Sequence, residues 1–167
     1  MMKTNFHLFT FLILLLTWSC DSDKSISKQV IAASEKYILS QLTNPQKSIS
    51  DNGLITISDE QKKYIIEPSG IFLGLIDGDT TEDAIVSVST FQGEYQTVSE
   101  QLIILNSEDG FKLVSAMESD MRIISLKDRI ITADVPEHSR NTPLFNCPSC
   151  WEVVKYQFRM GELEKVE

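Results

Sequence analysis

Apolar residues along this chain change their spacing as it proceeds, and the changes predict its elements. Between Ile26 and Leu42 they recur at steps of three and four, as Ile26, Val30, Ala33, Tyr37, Ile38 and Leu42. That is one stripe of an amphipathic helix, with Ser25 or Ser27 placed to cap it and Asn44-Pro45 to end it. Lys28, Glu35, Lys36 and Gln41 lie off the stripe. A polar face without a basic band argues for packing on a sheet rather than on a membrane.

After Asn52-Gly53 the period falls to two. Leu54, Ile55 and Ile57 predict one strand, and Tyr64, Ile65 and Ile66 a second, with Pro68-Ser69-Gly70 read as a turn into a central pair. That pair is Ile71 to Ile76 and Ala84 to Val88, two short β-branched runs joined by the acidic turn Asp77 to Asp83. Leu102 to Leu105 and Phe111 to Val114 flank Glu108-Asp109-Gly110, where Asp-Gly suits the positive φ of a tight hairpin. Met121 to Leu126 and Arg129 to Val135 pair across Lys127-Asp128, and Trp151 to Phe158 and Leu163 to Val166 across Met160-Gly161. A helix followed by a run of strands predicts an α+β fold, with an N-terminal amphipathic helix packed on a mostly antiparallel, meandering sheet of about seven to nine strands.

Two connections do not fit short hairpin turns: Gln92 to Gln101, and Pro136 to Cys150. The second runs for about 15 residues and contains Pro136, Pro143 and Pro148. Loops of that length in a compact domain are usually functional or disordered. Leu144 and Phe145 give this one apolar side chains to dock and two cysteines to staple it, so an ordered loop is expected. With His138 and Arg140 it is the candidate contact surface.

Ahead of the helix, Lys3 and His7 precede an apolar run from Leu8 to Leu16, followed by Thr17, Trp18, Ser19 and Cys20. This is the order of a secretory signal: a basic start, an apolar middle and a small residue before the cut. The run is short of the roughly 20 apolar residues a spanning helix needs. A cysteine directly after the small residue resembles the lipobox of bacterial lipoproteins, a resemblance carried by the first 20 residues. It implies that Cys20 is the acylated first residue of the mature chain. Residues 1–19 are then the signal peptide, residues 20–25 a lipid-anchored tether, and residues 26–167 a single domain in the bacterial cell envelope, outside the cytoplasm. A signal cleaved by the ordinary peptidase, or an uncleaved anchor, is the alternative. Asp21 and Asp23 are similar to the sorting signals of some lipoproteins.

Loss of residues 1–19 removes one lysine and no acid, which takes the 15 basic residues to 14 against 24 acidic ones and the net charge from −9 to −10. Phosphate backbones and anionic headgroups repel such a surface, so nucleic acid is not an expected partner. Attachment to the membrane then falls to the acyl chains on Cys20, and a protein is the expected partner.

The acidic turn brings the one metal-type pattern. Asp77, Asp79, Thr81 and Asp83 stand at alternate positions and offer the hard oxygens that calcium takes from a loop. The spacing is similar to the first half of an EF-hand loop and to the Asp-x-Asp-x-Asp turns of integrin-type β-propeller repeats. Glu82 replaces the EF-hand glycine and Val88 its bidentate glutamate, which excludes a full EF-hand. A shorter calcium turn and a plain solvated turn both remain, the second because Asp and Gly are turn residues in any case. No cofactor other than calcium is suggested.

Cys147 and Cys150 are expected to form a small disulfide, since paired thiols outside the cytoplasm oxidise. A redox centre of the same spacing would have the pair open a helix, whereas the following WEVVKYQF reads as a strand. Cys147, Cys150 and His138 would make three zinc ligands, one short of a closed structural site. Ser139 and Asp134 neighbour His138 in sequence without any nucleophile motif. The expectation is a binding or structural module rather than an enzyme. An inhibitor or immunity-type lipoprotein against a secreted toxin or hydrolase is the alternative, and an envelope thiol oxidoreductase the third reading.

Overall fold

The computed structural model describes residues 19–93, 95–136 and 151–166, with side chains from Ser25 onward except those of residues 95–98. Helix α1 (Ser19–Ser40) is followed by β1 (Gln46–Ile49), β2 (Ile55–Ser58), β3 (Lys62–Gly74), β4 (Asp83–Gln92), β5 (Tyr95–Ser107) and β6 (Gly110–Glu118). Four more strands follow among the described residues: β7 (Arg122–Lys127), β8 (Ile130–Pro136), β9 (Trp151–Arg159) and β10 (Glu162–Val166). All pairings are antiparallel, in two meanders: a six-stranded sheet ordered β1 to β6 and a four-stranded sheet ordered β10-β9-β8-β7. The expected α+β class with a helix on an antiparallel meander is present.

The layering follows from which residues cannot face water. Val30 and Ile38 of α1 are fully buried against Ile57, Ile66, Val86 and Leu102 on one face of the six-stranded sheet. Burying a side chain of that size contributes about 1.5–3 kcal/mol. On the other face, Ile85 and Ile103 meet Ile123, Ile131 and Ala133 of the second sheet. Helix, sheet and sheet therefore stack as three layers around two cores.

The single sheet of seven to nine strands is thus corrected to ten strands in two sheets among the described residues. The cause lies in the central strands. Ala84, Ile85 and Val86, and likewise Leu102, Ile103 and Ile104, are fully buried at consecutive positions. A strand whose side chains alternate between faces can be buried throughout only if both faces are covered, and α1 covers just one.

Pro68-Ser69-Gly70 does not reverse the chain. β3 runs on to Gly74 along the same partner, with register passing from Ile66 opposite Val88 to Ile71 opposite Val86. Glu67 to Gly70 therefore bulge out opposite Ser87, and Pro68, which has no amide to donate, sits where the ladder is interrupted. Gln92 to Gln101 is not a long connection either: β4 ends at Gln92 and β5 begins at Tyr95. The β7–β8 hairpin turns on Asp128 and Arg129, both with positive φ (52° and 64°) as in a type I′ turn, one residue later than expected. β1 carried no sequence signal because all four of its residues are exposed.

At the N-terminus α1 is described from Ser19, so residues 20–25, assigned to a tether, are helical. The predicted stripe packs as expected: Ile26, Ala33, Tyr37 and Leu42 are half-buried around Val30 and Ile38. Among the described residues no helix is long and apolar enough to cross a membrane.

Candidate functional site at the β3–β4 turn

The chain from Leu75 to Glu82 leaves β3 and returns as β4, with Gly74 paired to Asp83 across its base. Asp83 holds the turn closed. It is fully buried, its Oδ2 accepts the amides of Ile76 (2.9 Å) and Asp77 (3.4 Å), and its Oδ1 accepts the amide of Asn106 from β5 (2.9 Å). Three donors on one carboxylate explain why an acid tolerates this position. Burial pushes its carboxyl above the usual value of 3.8, and the three amides oppose that shift without cancelling it.

The exposed part of the turn organises itself. Asp77 Oδ1 accepts the amide of Asp79, and Asp79 Oδ1 that of Thr81, each at 2.8 Å. The Thr81 hydroxyl donates to Asp79 Oδ2 (2.7 Å) and also lies 3.1 Å from the Asn106 carbonyl. The Thr81 hydroxyl and amide hold the Asp79 carboxyl below its usual value. The second sheet reaches this turn as well: the Arg129 guanidinium, at the tip of the β7–β8 hairpin, donates to the Gly78 carbonyl (3.1 Å).

One carboxylate oxygen from each of Asp77, Asp79 and Asp83 converges within 4.8 Å of the others. The structure thus brings together the three acids singled out by spacing, with Thr81 bonded to one of them. Their oxygens suit a hard divalent cation. Equally, every bond among them is one that a self-contained turn makes.

A second constellation was not expected from sequence. Glu100 of β5 is only 8% exposed, accepts the Tyr37 hydroxyl of α1 (3.0 Å) and lies 3.5 Å from the Thr90 hydroxyl. It faces Glu118 directly across the β5–β6 ladder. Burial first, then the bond to Glu100, pushes the Tyr37 hydroxyl well above the ordinary tyrosine range. The residue fell in the polar stretch read as a connection, so nothing marked it as inward-facing. The pairing of Val88 with Glu100 puts it on the helix-covered face.

The third feature is the outer face of the four-stranded sheet. Arg122, Asp134 and Val153 are successive cross-strand partners, and Trp151 shares their face two residues before Val153. The Arg122 guanidinium stacks 4.2 Å from the centroid of the Trp151 ring, and Val153 is 60% exposed. Pro136 pairs with Trp151, so both ends of the long connection leave from adjacent positions beside this patch. Cys147, Cys150, His138, Arg140, Leu144 and Phe145 lie outside the described residues. Cys20 falls in the first turn of α1, and its side chain is likewise outside them.

Comparison of the chain with protein-family models, with curated proteins and with solved structures finds no match.

Proposed function

We propose that this chain is a lipid-anchored binding module of the bacterial cell envelope, attached through acyl chains on Cys20 and engaging a protein partner with the outer face of its four-stranded sheet. The observation that supports this most is the pairing of Pro136 with Trp151 beside an exposed patch of Arg122, Trp151 and Val153. Aromatic and arginine side chains dominate binding energy at protein interfaces. Here they surround the base of the loop that carries His138, Arg140, Leu144 and Phe145, with the Cys147–Cys150 disulfide closing it. An inhibitor or immunity-type role is the same surface with a toxin or hydrolase as partner. The anchor is tested by labelling cells with a clickable palmitate: the chain incorporates label and fractionates with membranes, and Cys20→Ser does neither. Label on the Cys20→Ser chain would reject the anchor.

The convergence of Asp77, Asp79 and Asp83 favours a second reading, calcium binding at the β3–β4 turn. A cation bound only by the folded state stabilises it by about 2.7 kcal/mol at 100 times Kd. Millimolar Ca²⁺ should then raise the Tm of the native chain and leave that of Asp79→Asn unchanged. An unmoved Tm in both assigns the turn a purely structural role.

A further inference from the structure

The course of α1 across its sheet fixes which end of the domain its N-terminal turns reach. Just past the helix, the Thr43 amide donates to Asp59 Oδ2 (2.9 Å) at the β2–β3 turn. Further back, Tyr37 bonds Glu100 (3.0 Å), which lies level with Ile55 through the pairs Glu100–Val88, Val88–Ile66 and Ile66–Ile55. Further back again, Ala33 lines a groove with Phe111 and Leu113, and Phe111 stands at the start of β6, beside the β5–β6 turn. Toward its N-terminal end, then, α1 leaves the β2–β3 turn and runs to the opposite end of the sheet, which holds the β1–β2, β3–β4 and β5–β6 turns.

Ile26 is the first described side chain that packs on the core, and Cys20 lies about 9 Å further along the axis of the same helix. A helix transmits direction as well as distance, which a free tether would not. An acyl chain on Cys20 therefore decides which way up the domain stands.

We propose that the end formed by the β1–β2, β3–β4 and β5–β6 turns is the membrane-facing surface of the domain, held over zwitterionic headgroups by the N-terminal turns of α1; this rests on the acylation of Cys20. The β2–β3 turn is about 30 Å away, the length of β4 (Asp83–Gln92), and points away from the bilayer. The three membrane-facing turns carry Asp51, Asp77, Asp79, Glu82, Glu108 and Asp109 and no basic residue. Arg129 reaches in from the second sheet to Gly78, and Lys112 pairs with Asp109, so acids still prevail. Anionic headgroups repel such a surface, and it is the helix rather than adhesion that keeps it at the bilayer.

The test uses the full chain, acylated in a bacterial host and reconstituted into phosphatidylcholine vesicles containing a lipid with a nitroxide-labelled headgroup. A click-reactive amino acid replaces Glu108 or Glu60, both exposed, and carries a fluorophore. Quenching at position 108 should exceed that at position 60 at least about threefold, given the roughly 30 Å between the two ends. A flexible Gly/Ser insert of about 12 residues between Ser25 and Ile26 spans roughly 20 Å and should bring the two positions to within about twofold. Circular dichroism confirms that the insert leaves the domain folded, and flotation with the vesicles reports the anchor separately. A native chain that fails to float rejects the acylation on which the orientation rests. A chain that floats with both positions quenched alike, with position 60 quenched more, or with the difference unchanged by the insert overturns the orientation and leaves the anchor standing.

Discussion

Removing one oxygen atom from Tyr37 tests how α1 is held to its sheet. In Tyr37→Phe the ring still fills its place, but Glu100, 8% exposed, loses the donor at 3.0 Å and keeps the Thr90 hydroxyl at 3.5 Å. A hydrogen bond to a charged group contributes about 1.5–3 kcal/mol, and an unsatisfied buried acceptor costs a similar amount. Glu118, directly opposite Glu100, supplies like charge instead of compensation. The substitution should therefore destabilise the chain by about 2 kcal/mol, a fall in Tm of roughly 4–8 °C at this size. Urea denaturation followed by circular dichroism measures it. The double-mutant cycle with Glu100→Gln decides the cause, because the effect of Tyr37→Phe should shrink by at least about 1 kcal/mol once the carboxylate is gone. If Tyr37→Phe costs the same in both backgrounds, the hydrogen bond is not what joins α1 to β5, and packing alone holds the helix.

Other consequences are as direct. A Cβ on Gly74 would stand 2.9 Å from Leu126 Cγ and 3.2 Å from the Leu126 carbonyl, so Gly74→Ala should cost about 1–3 kcal/mol by forcing the sheets apart, read as a lower urea midpoint. Asp83→Asn puts an amide donor among the three amides that Asp83 now accepts, and should cost about 1–3 kcal/mol. Native-state hydrogen exchange should show the Ile76 and Asn106 amides losing protection first; unchanged rates would mean that the carboxylate does not hold the turn. The lowered Asp79 value means that the folded chain holds this proton less tightly than the unfolded one. Its contribution is present above about pH 4 and lost as pH falls through the folded value. Tm scans of the native chain and Asp79→Asn should therefore converge toward pH 2, and parallel curves would exclude that linkage.

Where the two patterns of apolar spacing were clean, the elements were legible. The stripe from Ile26 to Leu42 predicted the buried face of α1, and Met160-Gly161 predicted a turn in which both residues have positive φ (51° and 92°). The acidic turn was legible too, since alternation along a short loop is enough to bring Asp77, Asp79 and Asp83 together. What spacing alone did not reveal depends on tertiary cover. Ala84-Ile85-Val86 and Leu102-Ile103-Ile104 are apolar at successive positions, a sign that both faces of the sheet are covered, but they do not say by what. Pro68 and Gly70 mark a turn and a bulge equally well, and only the pairing of both flanks with β4 separates them. Glu100 had no local signal at all, because its burial comes from a helix more than sixty residues away in sequence.

The binding account rests on the outer face of the four-stranded sheet, so a photo-crosslinking residue at Val153 in living cells tests it most directly, with one at Lys127 on the far hairpin as the comparison. The account predicts one discrete crosslinked protein from position 153, absent from position 127 and lost when Arg122→Glu is added to a chain that still folds and reaches the membrane. No crosslink from position 153, or the same products from both positions, would contradict it.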